Sequence, residues 1–401
     1  MVLFLPLDIH FCTTKRKRPS ESTVEPKTTQ KKSRVIHHLK GFKLNPSILS
    51  KRNVDMLDDL YQRVDKKEMW RPIFTPLQNH FLNWLLLVPL LPEDWAKLIV
   101  NTIRYGADPM YFIQPPPKQD QVNTNCETEE ELYEALKCVQ NNMCLKNSGN
   151  STLSGPYSSK QRGKIDIVCP LMTLWKPGSQ KWQAIFHASK RNIKGDKGLS
   201  PNDYIPNIFR DCKLPNCTLF KSAVRTYNYG SVQDISGAFM HILLQPSARR
   251  TLSYKVFNLF FKYTSFPFGL AIAPKLFCLF TSTVTYFCKR LKPELFCNNT
   301  PGRKSTIGVY LDDFFMFHQN KLDAEKAFDF LEDLLISLGF KLSKKESGRS
   351  RAASKVIVLG LELNFEAKSI TIPESKKKKY LSAVAEAVSY THLTLPTIYS
   401  V

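Results

Sequence analysis

The sequence predicts an α+β fold, because a mostly helical first part is followed by short strands separated by turns. Between residues 53 and 150, apolar residues recur at helical spacing, as in the segment from Glu129 to Val139. From Ile165 onward, short apolar runs alternate with turn residues, which is typical of strands. In the segment from Thr306 to Phe317, two β-prone halves flank a pair of aspartates. These observations favour an antiparallel sheet packed on helices.

The composition indicates a polyanionic partner. The 401 residues include 57 Lys+Arg and 35 Asp+Glu, which gives a formal net charge of +22. This charge is too positive for a typical metabolic enzyme with an acidic surface, and it favours nucleic acid over membrane as the partner. An apolar content of 43% excludes a wholly disordered chain. The most apolar run, Phe81–Leu91, is broken by Pro89 and is shorter than the roughly 20 residues of a membrane span. No membrane partner is expected.

The ten cysteines lie at scattered positions, without a CxxC pair or a Cys/His zinc pattern. Met1–Leu7 has no basic residues ahead of it and is too short for a secretory signal. We therefore expect reduced cysteines in a protein of the nucleus or cytoplasm.

Residues 1–52 hold 12 Lys/Arg and 3 Asp/Glu. Two basic clusters, Lys15–Arg18 and Lys31–Arg34, flank a polar stretch. The pattern predicts a disordered basic arm over 1–52 that carries a bipartite signal for nuclear import receptors. A tail that binds phosphates without specificity is the alternative.

Residues 53–150 are predicted to form a mostly helical N-terminal region, and nothing there indicates chemistry. The segment Asn147–Ser159 is rich in Gly, Ser and Asn and contains Pro156. This composition predicts a linker and an internal domain boundary.

The first candidate for chemistry is Asp234. It follows a predicted strand and precedes the apolar residues Ile235 and Ala238. An acid in an apolar segment is costly to desolvate unless it is paired or bound to a metal. An ordinary turn or N-cap aspartate is the alternative.

The second candidate is the pair Asp312-Asp313, at the tip of the hairpin predicted over Thr306–Phe317. Two adjacent acids repel, and an apolar frame strengthens the repulsion. A divalent cation relieves it, and oxygen ligands suit Mg²⁺ or Mn²⁺. An Asp-rich turn without a metal is the alternative.

The third candidate is the turn Phe266–Gly269. Pro274 follows it and is predicted at the first turn of a helix that runs to about Leu291. A glycine beside aromatic residues lets a base or a phosphate approach the backbone. A turn that only packs the core is the alternative.

In chain order the acid Asp234, the turn Phe266–Gly269 with its helix, and the hairpin with Asp312-Asp313 resemble the palm of reverse transcriptases, and the resemblance extends over about 165–375. The matching positions are Asp234 for the first palm carboxylate, Phe239 for the aromatic residue after it, Phe266–Gly269 with Ala273-Pro274 for the PFG…AP motif, Tyr310–Asp313 for the YxDD box and Val358–Leu363 for the primer-grip hairpin.

Three segments resemble those ahead of the palm in DIRS-like retrotransposons, which encode a tyrosine recombinase. They are Leu153–Tyr157, Pro170-Leu171 and Gly198–Ile205. A Ty3-like or pararetroviral enzyme is the alternative.

The resemblance implies a right-hand polymerase fold, with fingers over 151–222, palm over 223–365 and the start of a truncated thumb over 366–388. Ser389–Val401 breaks the helical pattern and resembles a translated sequencing adaptor, so we expect a non-native tail over 389–401. The chain would then lack most of the thumb and any RNase H or recombinase domain.

The resemblance also implies two-metal transfer of dNTPs to a primer on an RNA or DNA template. Asp234, Asp312 and the carbonyl of Ile235 would hold two Mg²⁺ ions, with Mn²⁺ as the alternative, and Asp313 would be a third carboxylate. By the same resemblance, Phe239 would be the steric gate that rejects the ribose 2′-hydroxyl. Phe268 and Gly269 would border the nucleotide pocket. Leu359 and Gly360 would position the primer.

Lys344 is a candidate to protonate pyrophosphate, with a solvated template-binding lysine as the alternative. Residues 341–379 hold 11 Lys/Arg and 4 Asp/Glu, including Lys376–Lys379. This excess predicts a basic cleft for template-primer, with salt-sensitive binding. A solvated lysine run is the alternative.

The chain departs from the family in the fingers motif KxRxI, which aligns with Lys181–Ile185. Gln183 replaces the arginine that contacts the triphosphate, and His187 replaces an aspartate. Glutamine cannot supply the charge and the two-pronged hydrogen bonding of a guanidinium group. Either Lys181, Lys190 or Arg191 serves instead, or this copy is weakened.

Two other functions stay open. One is a catalytically impaired nucleic-acid-binding protein derived from a retroelement. The other is an RNA-dependent RNA polymerase, against which YLDD and Phe239 argue, because those enzymes more often carry GDD and a smaller residue or an aspartate near the Phe239 position.

Overall fold

The computed structural model of the protein describes residues 27–40, 42, 45–65, 75–109, 126–143, 152–160, 165–176, 181–189, 200–211, 218–297, 305–343 and 349–394. The fold is α+β, as predicted. The helices are α1 (Lys27–His38), α2 (Lys51–Asp65), α3 (Pro76–Asn79), α4 (Phe81–Leu87), α5 (Glu93–Tyr105), α6 (Glu129–Met143), α7 (Asn207–Arg210), α8 (Thr218–Thr226), α9 (Ala273–Leu291), α10 (Pro293–Phe296), α11 (Lys321–Ser337) and α12 (Glu374–Thr394).

The strands pair antiparallel in four sheets within the described ranges. The strands are β1 (Leu153–Tyr157), β2 (Leu171–Lys176), β3 (Lys181–Phe186), β4 (Tyr229–Asp234), β5 (Ser253–Val256), β6 (Leu259–Tyr263), β7 (Ser305–Tyr310), β8 (Asp313–His318), β9 (Arg349–Ala353), β10 (Lys355–Val358), β11 (Leu361–Asn364) and β12 (Ser369–Thr371). The largest sheet has the order β7-β8-β4-β9, and the others are β1-β6-β5, β10-β11-β12 and β2-β3.

The four-stranded sheet is buried on both faces, as the side chains of β8 show. Successive residues of a strand point to opposite faces. Phe314 and Met316 belong to the main core, which also includes the inner faces of α9 and α11. Phe315 and Phe317 belong to a second core with α8 and the β10-β11-β12 sheet. The sheet is therefore a rigid platform for the residues at its ends.

Two long helices, α9 and α11, pack against this sheet. Pro274 lies in the first turn of α9, as predicted. In α11, the Asn320 side chain caps the N-terminus by accepting hydrogen bonds from Leu322 N and Asp323 N. Gly339 follows the C-cap residue Leu338 with φ +90°, a conformation that favours glycine.

The N-terminal helices pack on the rest of the protein. The indole Nε1 of the buried Trp84 donates to Leu338 O at 2.9 Å, and Asn83 donates to Ser337 O at 2.6 Å. The apolar run Phe81–Leu91 thus forms α4 and a short 3-10 turn against the end of α11. Within the described ranges, no helix has both the length and the apolar character that a membrane span requires.

The structure differs from the predicted disordered arm over 1–52, because Lys27–His38 is the helix α1. This helix packs on α2, where Lys31 pairs with Asp55 at 3.1 Å and Arg34 with Asp58 at 3.7 Å. Val35 and Leu39 are fully buried, which stabilises the helix despite its basic composition. The first basic cluster, Lys15–Arg18, lies outside the described residues.

Two further boundaries differ from expectation. Within the predicted linker, Leu153–Tyr157 forms β1, which pairs with β6 and joins the predicted fingers and palm segments in one sheet. Pro156 is tolerated there because β1 is an edge strand. Helix α12 continues to Thr394, across the break expected at Ser389, since these residues disfavour a helix only weakly.

Candidate active site

The three predicted aspartates meet at one end of the four-stranded sheet. Asp234 is the last residue of β4, and Asp313 is the first residue of β8. The two are register partners in the antiparallel β4–β8 pair. The backbone N–H of Ile235 donates to the carbonyl of Asp312 at 3.2 Å, which joins the β4 end to the hairpin tip. The structure thus brings together Asp234, Ile235, Asp312 and Asp313 as predicted.

The hairpin predicted over Thr306–Phe317 is confirmed. Tyr310 pairs with Asp313, so Leu311 and Asp312 form a two-residue turn. Leu311 has φ +56°, in the left-handed region that is costly for a residue with a branched side chain. The strained backbone is that of Leu311, the residue directly before Asp312, and such strain often lies at functional sites.

Burial and the nearby like charges both raise the pKa values of the carboxylates at the hairpin tip. Burial raises the pKa of Asp312, and the charge of Asp234 raises it further, against a backbone hydrogen bond that lowers it. Burial, then the charge of Asp312 and then that of Asp234 raise the pKa of Asp313 to about 6. A proton or a cation at this point relieves the repulsion.

The chemistry of the donor set fits a hard divalent cation that shares its coordination with substrate. Among the residues that the structure describes, no group of three or more His, Cys, Asp or Glu is arranged to hold a metal ion. The aspartates alone therefore do not form a complete metal cage. Mg²⁺ is commonly bound by one or two protein carboxylates together with water and substrate phosphates.

A buried histidine, His241, holds the loop after Asp234 in place by hydrogen bonds. His241 Nδ1 lies 3.0 Å from Ala238 O, so it carries the proton and donates. His241 Nε2 accepts from Lys341 N at 3.0 Å. Burial lowers the pKa of His241 to about 4. The charge of Lys341 also lowers this pKa, and the hydrogen bonds to backbone carbonyls raise it in part. The neutral ring thus fixes the segment around Lys341 beside the carboxylates.

The same segment contacts the carboxylate loop directly. Ser236 N donates to Lys341 O at 2.7 Å, and Ser343 N donates to Asp234 O at 2.9 Å. Sequence reasoning did not single out His241, since a histidine seven residues after Asp234 carries no motif. Its partner Lys341 is a hundred residues away along the chain.

Three aromatic rings form one wall beside the site. The Phe239 ring lies 5.0 Å from that of Phe268 and 5.9 Å from that of Phe277, between ring centroids. Phe277 is fully buried, whereas Phe268 is 40% exposed. The predicted pocket residues Phe239 and Phe268 are therefore neighbours, and Phe268 is partly open to solvent.

Gly269 is required by its surroundings. Its φ is +100°, and a Cβ at this position would overlap the backbone carbonyl of Phe186 at the end of β3. The turn Phe266–Gly269 therefore lies directly on the β2–β3 hairpin.

The predicted fingers residues are placed only in part. Lys181 and Gln183 lie on β3, where they pair with Lys176 and Leu174 of β2, but the structure describes only their backbone. His187 N donates to Pro170 O at 3.0 Å. Lys190, Arg191 and Lys344 lie outside the described residues.

The hairpin predicted at Val358–Leu363 is confirmed as β10–β11, with Leu359 and Gly360 in its turn. Both have positive φ, +50° and +82°, which suits a two-residue hairpin turn. The Lys376 side chain of α12 occupies the space that a Cβ of Gly360 would need. Lys376–Lys379 are exposed, so a row of cations begins at this turn.

Fold and site together form an α+β domain with three aspartates at one end of its largest sheet. Residues 198–363 match the family model for reverse transcriptase (RNA-dependent DNA polymerase). This matched segment contains Asp234, Asp312 and Asp313 and the hairpin turn at Leu359-Gly360, and it is similar to a reverse transcriptase domain.

The chain is also similar to solved structures of the foamy viral protease-reverse transcriptase. The structure in complex with double-stranded DNA is 15% identical at a TM-score of 0.47, over 91% of this chain and 50% of that chain. The structure in complex with an RNA/DNA hybrid is 14% identical at a TM-score of 0.48, over 90% of this chain and 38% of that chain. The chain thus spans half or less of these solved chains. The comparison with curated proteins gives no match.

Proposed function

We propose that the protein is a retroelement reverse transcriptase that adds dNTPs to a primer 3′-hydroxyl on an RNA or DNA template. The observation that carries the proposal is the pairing of Asp234 with Asp313, beside Asp312, within the segment that matches the reverse transcriptase family. Carboxylates that repel one another at a sheet end lower the stability of the fold. Binding of cations, alone or together with phosphates, explains why they lie together.

In this proposal Asp234, Asp312 and the carbonyl of Ile235 would hold two Mg²⁺ ions, or Mn²⁺, with Asp313 as a third carboxylate. The bound ions supply activation of the primer hydroxyl and neutralisation of the triphosphate. The protein's own task is orientation, because the β4–β8 pairing and the Leu311-Asp312 turn fix the carboxylates before substrate binds.

The nucleotide pocket is proposed along the aromatic wall. Phe239 would exclude a ribose 2′-hydroxyl, and the exposed face of Phe268 and the backbone at Gly269 would border the base and sugar. Lys181 and Lys344 would contact phosphates. Leu359 and Gly360 would position the primer end.

Template-primer is the proposed partner. The net charge of +22 and the exposed Lys376–Lys379 row on α12 support this, because clustered cations bind nucleic-acid backbones.

The finer assignment to a DIRS-like retrotransposon rests on the segments Leu153–Tyr157, Pro170-Leu171 and Gly198–Ile205. We also propose the nucleus or cytoplasm as the location and import receptors as partners of the basic N-terminal segment.

One observation favours a second function. Gln183 stands where the family motif has arginine, so the triphosphate would lose a charged contact. A nucleic-acid-binding protein with impaired catalysis has the same fold and the same basic surface.

The experiment is extension of a DNA primer on an RNA template with dNTPs and Mg²⁺ or Mn²⁺. Extension that is lost in the double variant Asp312→Asn/Asp313→Asn supports the polymerase. Salt-sensitive binding without extension, with activity gained by Gln183→Arg, supports the impaired protein. Extension with rNTPs but not with dNTPs would contradict both.

A further inference from the structure

Asn202 lies at the junction between the fingers hairpin and the turn that carries Phe268. It is buried, at 8% exposure, in a 3-10 turn over Pro201–Tyr204. Asp203 accepts from the backbone N–H and the hydroxyl of Ser200, both at 2.8 Å, which fixes the start of this turn.

The side chain of Asn202 makes three hydrogen bonds to two other segments. Its Nδ2 donates to Gly269 O and to Ser189 Oγ, both at 2.8 Å. Its Oδ1 accepts from Ala271 N at 2.9 Å. A carbonyl can only accept and a backbone N–H can only donate, so the orientation of the amide is determined.

These bonds hold the turn directly after Phe268. Gly269 and Ala271 lie in the short segment that joins Phe268 to the start of α9. On the other side, Gly269 is in close contact with Phe186 O, so the turn is clamped between β3 and Asn202. The Phe268 ring in turn lies 5.0 Å from Phe239.

We propose that Asn202 is a positioning residue that holds Phe268 against Phe239 and so sets the discrimination between dNTPs and rNTPs. The inference rests on the proposed function and deepens it, since it concerns the sugar specificity of the same pocket. Asn202 acts through the turn and does not itself contact the nucleotide.

The sharpest variant is Asn202→Asp, because it keeps the size of the side chain. Its carboxylate still accepts from Ala271 N but cannot donate to Gly269 O, and two oxygens then face each other in a buried site. The matched control is Asn207→Asp, five residues on and exposed at the start of α7.

The measurement is kcat/KM for one dNTP and for the matching rNTP on the same RNA template and DNA primer. The ratio of the two does not depend on the fraction of folded enzyme. We expect the ratio to fall about 10-fold in Asn202→Asp, the size expected from one lost buried hydrogen bond, and to stay constant in Asn207→Asp. An unchanged ratio in Asn202→Asp overturns the positioning role of Asn202 and leaves the proposed function standing. No incorporation by the wild-type protein overturns the proposed function and this role with it.

A second measurement needs no turnover. Hydrogen exchange of the Ala271 amide is expected to be about 10-fold faster in Asn202→Ala than in the wild type, because its acceptor is removed. Asn207→Ala is expected to leave it unchanged. Equal exchange in Asn202→Ala and wild type would show that Asn202 does not hold the turn.

Discussion

Asp234 lies directly opposite Asp313 across the antiparallel strands β4 and β8. Like charges in such cross-strand positions destabilise a sheet. The pair is held there by strands with buried side chains on both faces, including Phe314 and Phe315. The sheet therefore carries an electrostatic cost at the one end where the hairpin tip also places Asp312.

Replacing Asp313 by asparagine should stabilise the fold while it lowers activity. The folded-state pKa of Asp313 is raised to about 6, above its ordinary value of 3.8. The folded state thus binds the proton more tightly, and this contribution to stability is lost as pH rises from about 4 to about 6. Without divalent cations at pH 7.5, Asp313→Asn should melt roughly 2–4 °C higher than wild type, allowing for solvent screening. Calorimetry at pH 4 should show a smaller difference, and an equal difference at both pH values would contradict the expectation.

His241 should make the protein sensitive to acid. Its folded-state pKa of about 4 is below its ordinary value of 6.5, so its contribution to stability is present above pH 6.5 and is lost as pH falls toward 4. Protonation of Nε2 also removes the acceptor of Lys341 N. His241→Gln should flatten the fall of the melting temperature between pH 6.5 and 4. The exposed His37→Gln serves as control and should keep the wild-type profile.

Reducing the Phe239 side chain should relax selection against rNTPs. Phe239→Val removes the ring that faces Phe268 and leaves space for a 2′-hydroxyl. The kcat/KM for an rNTP relative to the matching dNTP should rise at least about 10-fold, as expected when a pocket gains the volume of a few heavy atoms. A drop in both rates at a constant ratio would instead indicate a purely structural role for the ring.

Gly269 should not tolerate alanine. Its φ of +100° is unfavourable for any residue with a Cβ, and that Cβ would overlap Phe186 O. Gly269→Ala should lower kcat/KM for dNTPs at least about 10-fold, since the turn must move. Gly237→Ala is the matched control, because Gly237 also has positive φ, +69°, but nothing lies within 4 Å of its Cβ position. Equal loss in both variants would attribute the effect to backbone conformation and not to the contact with β3.

The sequence predicted the local elements of the site well. The hairpin over Thr306–Phe317 follows from two β-prone halves around a short turn, and the start of α9 follows from the position of Pro274. Each of these signals lies within about twenty residues, where periodicity and turn chemistry decide the structure.

The contacts that join distant segments could not be predicted in this way. The bond from Lys341 to His241 and those from Asn202 to Gly269 and Ala271 depend on tertiary packing, which a single sequence does not display. The helix α1 was also missed, because its basic composition indicates disorder unless its apolar face is buried against α2.

The most direct test of the account is the rate of single dNTP addition by Asp234→Asn on an RNA template and DNA primer. Asparagine keeps the shape of the side chain and removes the charge that faces Asp313. We predict that the rate falls at least about 1,000-fold while the affinity for template-primer stays within about 2-fold, because the carboxylate serves chemistry and not binding of the backbone. Addition by Asp234→Asn at a rate close to that of the wild type would contradict the assignment of this carboxylate pair as the catalytic centre.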